Sequence, residues 1–142
     1  MEHEYAGVDS FVVRFYGQEN ESVDIGFARI SNLEAKMDYE VIQEGGNSIP
    51  ILLPVARKEP DILTLERGIP ITENTEFWRN LKPGTRLSNV NIFVIRNEYT
   101  IRWLSFAEGI VISKQYPDLN AVSSEVYIEK LQIAHSGLEE VE

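Results

Sequence analysis

The reactive inventory of this 142-residue chain is thin: two histidines, no cysteine and a surplus of carboxylates. A Ser-His-Asp arrangement would have to use His135, since His3 stands at the N-terminus and no G-x-S-x-G turn presents a strained serine. The carboxylate pairs Glu59 with Asp61 and Glu139 with Glu140 are of the type used in glycoside hydrolysis, but so acidic a chain forms such pairs by chance. His135 is therefore read as an ordinary strand residue. There is no Walker sequence, no G-x-G-x-x-G and no HExxH, and the acidic stretches lack the spacing of a calcium loop. Without cysteine, disulfides and thiolate metal sites are excluded. Asn20-Glu21-Ser22 matches the glycosylation sequon by type alone. No enzyme activity, cofactor or metal is expected.

Thirteen basic against twenty-three acidic side chains give a net charge of −10. That disfavours direct sequence-specific binding of nucleic acid and an anionic membrane surface, because phosphate binding needs clustered Lys and Arg. It leaves a basic protein surface open as a partner. The N-terminal MEHEYAGVDSF has neither a basic n-region nor an apolar h-region, so no signal peptide is expected, and folding in a reducing cytoplasm raises no difficulty. No apolar run approaches the roughly 20 residues that cross a bilayer, and no membrane insertion is expected.

The elements that would carry any site are mostly of period two. Phe11–Tyr16 and Ile25–Ile30 read as strands. In the cleanest alternation, Leu33, Ala35, Met37, Tyr39 and Val41 share one face, and Glu34, Lys36, Asp38 and Glu40 the other. Glu44-Gly45-Gly46-Asn47-Ser48 predicts a turn, tandem glycines supplying positive φ. The chain returns through Ile49–Arg57, so residues 33–67 are expected to form one long hairpin, interrupted or edged by Pro50, Pro54 and Pro60. Thr72 or Asn74 can cap a short helix in which Phe77, Trp78 and Leu81 sit at helical spacing before Lys82-Pro83-Gly84 stops it. Val90–Ile95, Tyr99–Phe106 and Gly109–Tyr116 read as strands. Ser124–His135 is a further strand whose alternation changes phase at Glu129-Lys130, which predicts a bulge. Trp78 and Trp103 are assigned to the core. The expected fold is mainly β: a barrel or sandwich with one short flanking helix and a long extended hairpin, in a single domain spanning 1–142.

The segment EPDILTLERGI (59–69) poses the functional question. Leu63 and Leu65 point one way; Ile62, Thr64 and Glu66 point the other. A closed barrel of this size fills its interior with side chains, so the polar face must see something else. Hairpin arms of about 15 residues, at ~3.3 Å each, reach about 50 Å, more than one compact domain of this length covers. Part of the hairpin should then pair with another copy, since an exposed sheet edge otherwise invites aggregation. The alternatives are a monomeric barrel binding a small apolar ligand and a hydrolase built on His135.

Several motifs, in order over roughly residues 10–140, resemble the inner tail-tube proteins of contractile phage tails and related contractile injection systems. Gly26-Phe27 with Ile30-Ser31-Asn32-Leu33 is similar to the family's "GF…VSGL". Glu44-Gly45-Gly46-Asn47 is similar to its "EGGN" turn, and Ile62–Gly68 to its "LTLKRG" strand, with Glu66 in place of lysine. Glu76-Phe77-Trp78 resembles "ELW". Pro117-Asp118-Leu119-Asn120-Ala121 through Leu138 resembles "PDLNADSSEVAIETLELAHEGL" almost throughout. The chain departs from the family at Ala107-Glu108-Gly109, where an aromatic-proline pair is common.

The resemblance implies a hexameric ring-forming subunit, with rings stacking into a hollow conduit for DNA or protein cargo inside a contractile sheath. It also implies baseplate, spike and tube-terminating partners, and residence in a phage tail, a bacteriocin or a released injection particle. A secreted hexameric ring protein of a type VI secretion system is the near alternative. On this reading Leu63 and Leu65 pack in the subunit core with Leu33, Ala35, Met37 and Tyr39. Glu34, Lys36, Asp38, Glu40, Thr64 and Glu66 face the lumen, with Arg102 and Ser113 as neighbours, and Ile62 sits at a subunit seam. Gly45, Gly46, Asn47, Pro50, Pro54 and Arg57 form inter-subunit or inter-ring contacts. Six copies at −10 each give a ring of −60, part of which should meet a basic inner sheath surface.

Overall fold

The computed structural model describes residues 10–17, 22–43, 45–46, 48–56, 59–68, 75–116 and 128–141. Ten strands and one helix are present among them: β1 (Ser10–Tyr16), β2 (Ser22–Phe27), β3 (Arg29–Ser31), β4 (Asp38–Ile42), β5 (Ile51–Val55), β6 (Asp61–Gly68), α1 (Thr75–Asn80), β7 (Arg86–Arg96), β8 (Tyr99–Gln115), β9 (Ile128–His135) and β10 (Glu139–Glu140). The main sheet runs β2-β1-β7-β8-β9-β6-β3, with β10 added beside β8. Every pairing is antiparallel. The first and last strands of that path are consecutive in the chain, separated by Ala28, whose N–H donates to Glu66 O at 2.9 Å. One chain stretch thus supplies both ends of the sheet and curls it around a single core.

Alternation fills that core. Val13 and Phe15 of β1, Ile25 and Phe27 of β2, Leu63 and Leu65 of β6, Ile92 of β7, Phe106 and Val111 of β8, and Leu131 and Ile133 of β9 are all buried. Helix α1 closes one end. Its Phe77 ring lies 5.5 Å from Phe15 and its Trp78 ring 5.7 Å from Phe27, both tilted. Gly84, at φ 98, ends the turn after the helix and donates its N–H to Val111 O at 2.7 Å. The expected caps Thr72 and Asn74 lie outside the described residues.

Three sequence expectations are corrected. The 33–67 hairpin is short: only β4 and β5 pair with each other, five residues on each arm. Asn32, at φ 67, turns the chain out of the sheet after β3, so the alternation at 33–37 is not realised as strand. On the return, β6 pairs with β9 on one side and β3 on the other, so its backbone belongs to the main sheet. In consequence Leu33 packs on the core, but Ala35 is exposed, and Met37 and Tyr39 are 66% and 69% exposed.

The phase change expected at Glu129-Lys130 is also absent. Glu129, Leu131, Ile133 and His135 all point inward, and β6 pairs with β9 in continuous register. Glu129 looked like an outward residue because it is charged, yet its carboxylate accepts the indole N–H of Trp78 in the interior. The bulge lies in β8 instead, between Val111 and Ser113. Finally, Trp78 is buried but Trp103 is not; its ring lies 5.6 Å from Phe93 on the outside of the sheet, and its Nε1–H donates to Asn91 Oδ1 at 2.8 Å.

β7 and β8 each run past the point where the core ends. Leu87 and Gly109 pair inward, and so do Val90 and Phe106, so both strands lose one alternation between these pairs. Asn89 sits there at φ 51, which lets the hairpin bend without slipping register.

Candidate assembly surfaces

The outward face of β3, β6, β9 and the C-terminal half of β8 is assembled row by row from their register. Arg29, Glu66, Lys130 and Gln115 form one row across the four strands. Glu66 lies 3.7 Å from Arg29 and 3.9 Å from Lys130, and its side chain is only 17% exposed between them. The next row is Ser31, Thr64, Gln132 and Ser113, with Gln132 Nε2 donating to Thr64 Oγ1 at 3.4 Å. The third is Ile62, Ala134 and Ile110. A charged row, an amide-and-hydroxyl row and an apolar row therefore lie side by side on the back of a sheet whose other side is packed core. Of the residues expected to face a lumen, Thr64, Glu66 and Ser113 are brought together here. Arg29, Ser31, Lys130 and Gln132 were missed by the sequence reading; Arg29 and Ser31 needed the pairing of β3 with β6, and Lys130 and Gln132 that of β9 with both β6 and β8.

Arg102 is not part of this face. It lies in the other half of β8, opposite Val94, and its Nη1 donates to Glu140 Oε2 at 2.5 Å. Glu34 and Lys36 stand before β4 and pair with each other at 2.9 Å, both about half exposed. Asp38 and Glu40 lie on β4, opposite Val55 and Leu53.

The β4–β5 hairpin is a two-stranded sheet that pairs with no other described strand. Directly opposed residues share a face. Tyr39 with Pro54, and Val41 with Leu52, make one face wholly apolar; Val41 is 54% and Leu52 65% exposed. The opposite face carries Asp38 and Glu40 but also Ile42, Leu53 and Ile51. Pro54 falls on an edge strand, the place in a sheet where proline is tolerated. Gly46, at φ 84, makes the turn; Asn47 and Arg57 lie outside the described residues. Two-stranded ribbons are marginal alone in water, and apolar patches of this kind occur at protein, membrane and ligand contacts.

Nothing in this geometry converges as a catalytic centre. Among the described residues no cluster of three or more His, Asp or Glu side chains could hold a metal ion. No described helix is long and apolar enough to cross a membrane. A groove of about 1140 Å³ runs beside the bend of β7, lined by Tyr16, Phe77, Asn89, Asn91 and Phe106 among others. His135, the sole catalytic candidate, is buried under Phe106 with no serine nucleophile oriented by it; its Nδ1 accepts the Gly137 N–H at 3.2 Å.

The fold recurs in solved structures. A chain of the six-fold symmetrised cryo-EM structure of the anti-feeding prophage baseplate superposes with a TM-score of 0.71 at 22% identity, over 99% of this chain and 97% of that one. A chain of the sheath-tube complex of an extracellular contractile injection system, PVC, in the extended state gives 0.68 at 14% identity, over 97% and 95%. The crystal structure of an Hcp protein gives 0.54 at 11% identity, over 94% and 100%. At these identities the likeness speaks for fold. No curated protein sequence matches the chain. The profile of the T4-like virus tail tube protein gp19 family, however, matches residues 10–139, nearly the whole chain. The chain belongs to the T4-like virus tail tube protein family.

Proposed function

We propose that six copies of this chain close into a ring, that rings stack into the hollow inner tube of a contractile injection apparatus, and that the subunit is structural, not catalytic. The observation that carries this reading is the polar back of the β3-β6-β9-β8 sheet, where Glu66 is held between Arg29 and Lys130. The curled sheet fills its own inside with apolar side chains; a wide assembled pore needs polar residues facing inward, and this face offers them. Thr64, Glu66, Ser113, Gln132 and Lys130 then line the bore, with Glu34, Lys36, Asp38 and Glu40 near it. Arg29, Glu66 and Lys130 sum to one positive charge and Glu34, Lys36, Asp38 and Glu40 to two negative ones, so a cargo of DNA or protein meets a single net negative charge per subunit.

The hairpin supplies the contact between subunits. Its apolar face, its two edges that no other described strand pairs, and the Gly45-Gly46 turn with Pro50 and Pro54 suit an extended arm that pairs outside its own domain. Heterologous contacts of this kind close into rings within a layer and repeat openly between layers. A contractile sheath, baseplate and spike proteins and tube terminators are the partners, and an acidic tube suits a basic sheath lining. A second reading, a secreted ring protein of a type VI system, has the likeness to the Hcp structure in its favour.

Size-exclusion chromatography with negative-stain imaging tests the proposal. Rings and tubes are expected from the intact chain. Replacing residues 43–50 by a two-residue turn should leave folded subunits that do not stack; normal tubes from that variant would reject the hairpin's role.

A further inference from the structure

We propose that His135 is a proton-sensitive anchor of β10: the neutral imidazole holds the turn that delivers β10 to the edge of β8, and protonation opens that turn. The anchor belongs to the single subunit and holds whether or not rings form.

β10 itself is lightly held. Glu139 and Glu140 pair with Ser105 and Leu104 of β8, and the Val141 N–H follows on Trp103 O at 2.8 Å. The ion pair of Arg102 with Glu140 is exposed and adds little. Most of the anchoring lies in the turn before the strand. Ser136 donates its N–H to Glu108 O at 2.9 Å, its Oγ accepts the Glu108 N–H at 3.3 Å, and Leu138 is buried in the core. Between them Gly137, at φ 142, donates its N–H to Nδ1 of His135 at 3.2 Å. The imidazole is thus an acceptor within the turn.

The ring is held from its other side by β8. It is 2% exposed and stacks on Phe106 at 5.0 Å and 25°. Gly109 lies opposite it, where a Cβ would meet Phe106 at 2.7 Å and displace the support of the imidazole.

Because Nδ1 accepts, the neutral ring carries its proton on Nε2, which is buried with no hydrogen-bond partner among the described residues. A second proton can go only to Nδ1. There it sets donor against donor, breaks the bond from Gly137 and leaves a buried cation. The charged groups around the ring come from every neighbouring element. Asp61 of β6 lies opposite it in register, Glu59 and Lys36 line a cavity of about 460 Å³ on one side, and Arg86 and Glu108 line one of about 250 Å³ on the other. Lys36 is paired with Glu34, and Glu59 and Asp61 each have an interaction of their own. Opening the turn gives both ring N–H groups to water instead.

The direction with pH follows. Burial lowers the imidazole pKa below its ordinary 6.5, with Asp61 pulling the other way. In the opened turn the ring is hydrated and returns to about 6.5, so the open state binds more protons. The closed turn is therefore fully favoured above about pH 6.5 and loses ground as pH falls toward the folded value. Opening bares the edge of β8 over Trp103–Ser105, which β10 alone covers among the described strands.

Nitrogen NMR of the isotopically labelled chain reads the ring, and hydrogen exchange reads β10. The Nε2–H tautomer is expected at about pH 8, with a folded pKa below ~6.5. Exchange of the Val141 amide, divided by its intrinsic rate, should rise as pH falls from about 7.5 to that folded pKa. The rise should be about tenfold for each unit by which the folded pKa lies below ~6.5. His135→Gln should flatten the profile. An Nδ1–H tautomer, a folded pKa at or above ~6.5, or an unchanged slope in His135→Gln overturns the anchor. So does a Val141 profile that stays flat while the ring titrates, since β10 would then fray with the imidazole still buried. If His135→Gln does not fold, the ring titration and the Val141 profile of the unaltered chain decide the matter.

Discussion

Val41→Thr with Leu52→Thr probes what the hairpin is for. These residues face each other across β4 and β5 and retain 54% and 65% of their surface in the isolated subunit. What is still exposed is what association can bury. Full burial of such a side chain stabilises by about 2 kcal/mol, so roughly 1 kcal/mol remains available at each. Threonine keeps a methyl at each position, and it has the β-branched shape that strands favour. The double substitution should therefore weaken each contact by about 1.5–2 kcal/mol, a 10- to 30-fold loss in association. Exposed positions away from the core change subunit stability by about 0.5 kcal/mol or less, so the melting temperature should hardly move. Sedimentation velocity against concentration gives the assembly threshold, and thermal unfolding of the unassembled fraction gives stability. An unchanged threshold would refute the reasoning; so would a collapse of the subunit, which would mean these residues hold its own fold together.

Gly109→Ala should lower subunit stability by about 1–3 kcal/mol, because the new Cβ meets Phe106 at 2.7 Å, Ile133 at 2.9 Å and Ala134 O at 3.2 Å; thermal unfolding reads this directly, and an unchanged melting point contradicts the packing. Glu129→Ala removes the buried acceptor of the Trp78 indole N–H and should destabilise by about 1–3 kcal/mol with a change in tryptophan fluorescence, whereas Glu129→Gln, which keeps an acceptor, should lose less. Arg14→Ala, which breaks a two-point pair with Asp24 at 2.8 and 3.1 Å on the surface, should shift stability by under about 1 kcal/mol by chemical denaturation.

The main sheet was largely legible because its strands obey period two. Leu63 and Leu65 against Ile62, Thr64 and Glu66 split between core and surface as the alternation required. The hairpin was overextended because alternation at 33–37 says nothing about the backbone, and a left-handed Asn32 ends the strand first. Glu129 misled for the opposite reason: charge suggested solvent, whereas a partner 51 residues away made burial tolerable. The polar face was legible only in part. Thr64 and Glu66 came from the alternation of 59–69, although that strand joins the main sheet and not the hairpin, and Ser113 from a strand expected over Gly109–Tyr116 that is the second half of the continuous β8. Lys130 and Gln132 needed the register of β9 between β6 and β8, which is a long-range fact. Trp103 was assigned to the core by type, and it lies outside because alternation turns Leu104 and Phe106 inward and leaves Trp103 opposite Phe93 on the other face.

The central claim is that the back of the β3-β6-β9-β8 sheet becomes the wall of a bore. A cryo-EM reconstruction of assembled particles decides it. Six subunits per ring with Thr64, Gln132 and Lys130 turned toward the axis are predicted; a reconstruction with that face turned outward, or buried between neighbouring subunits, would contradict the account.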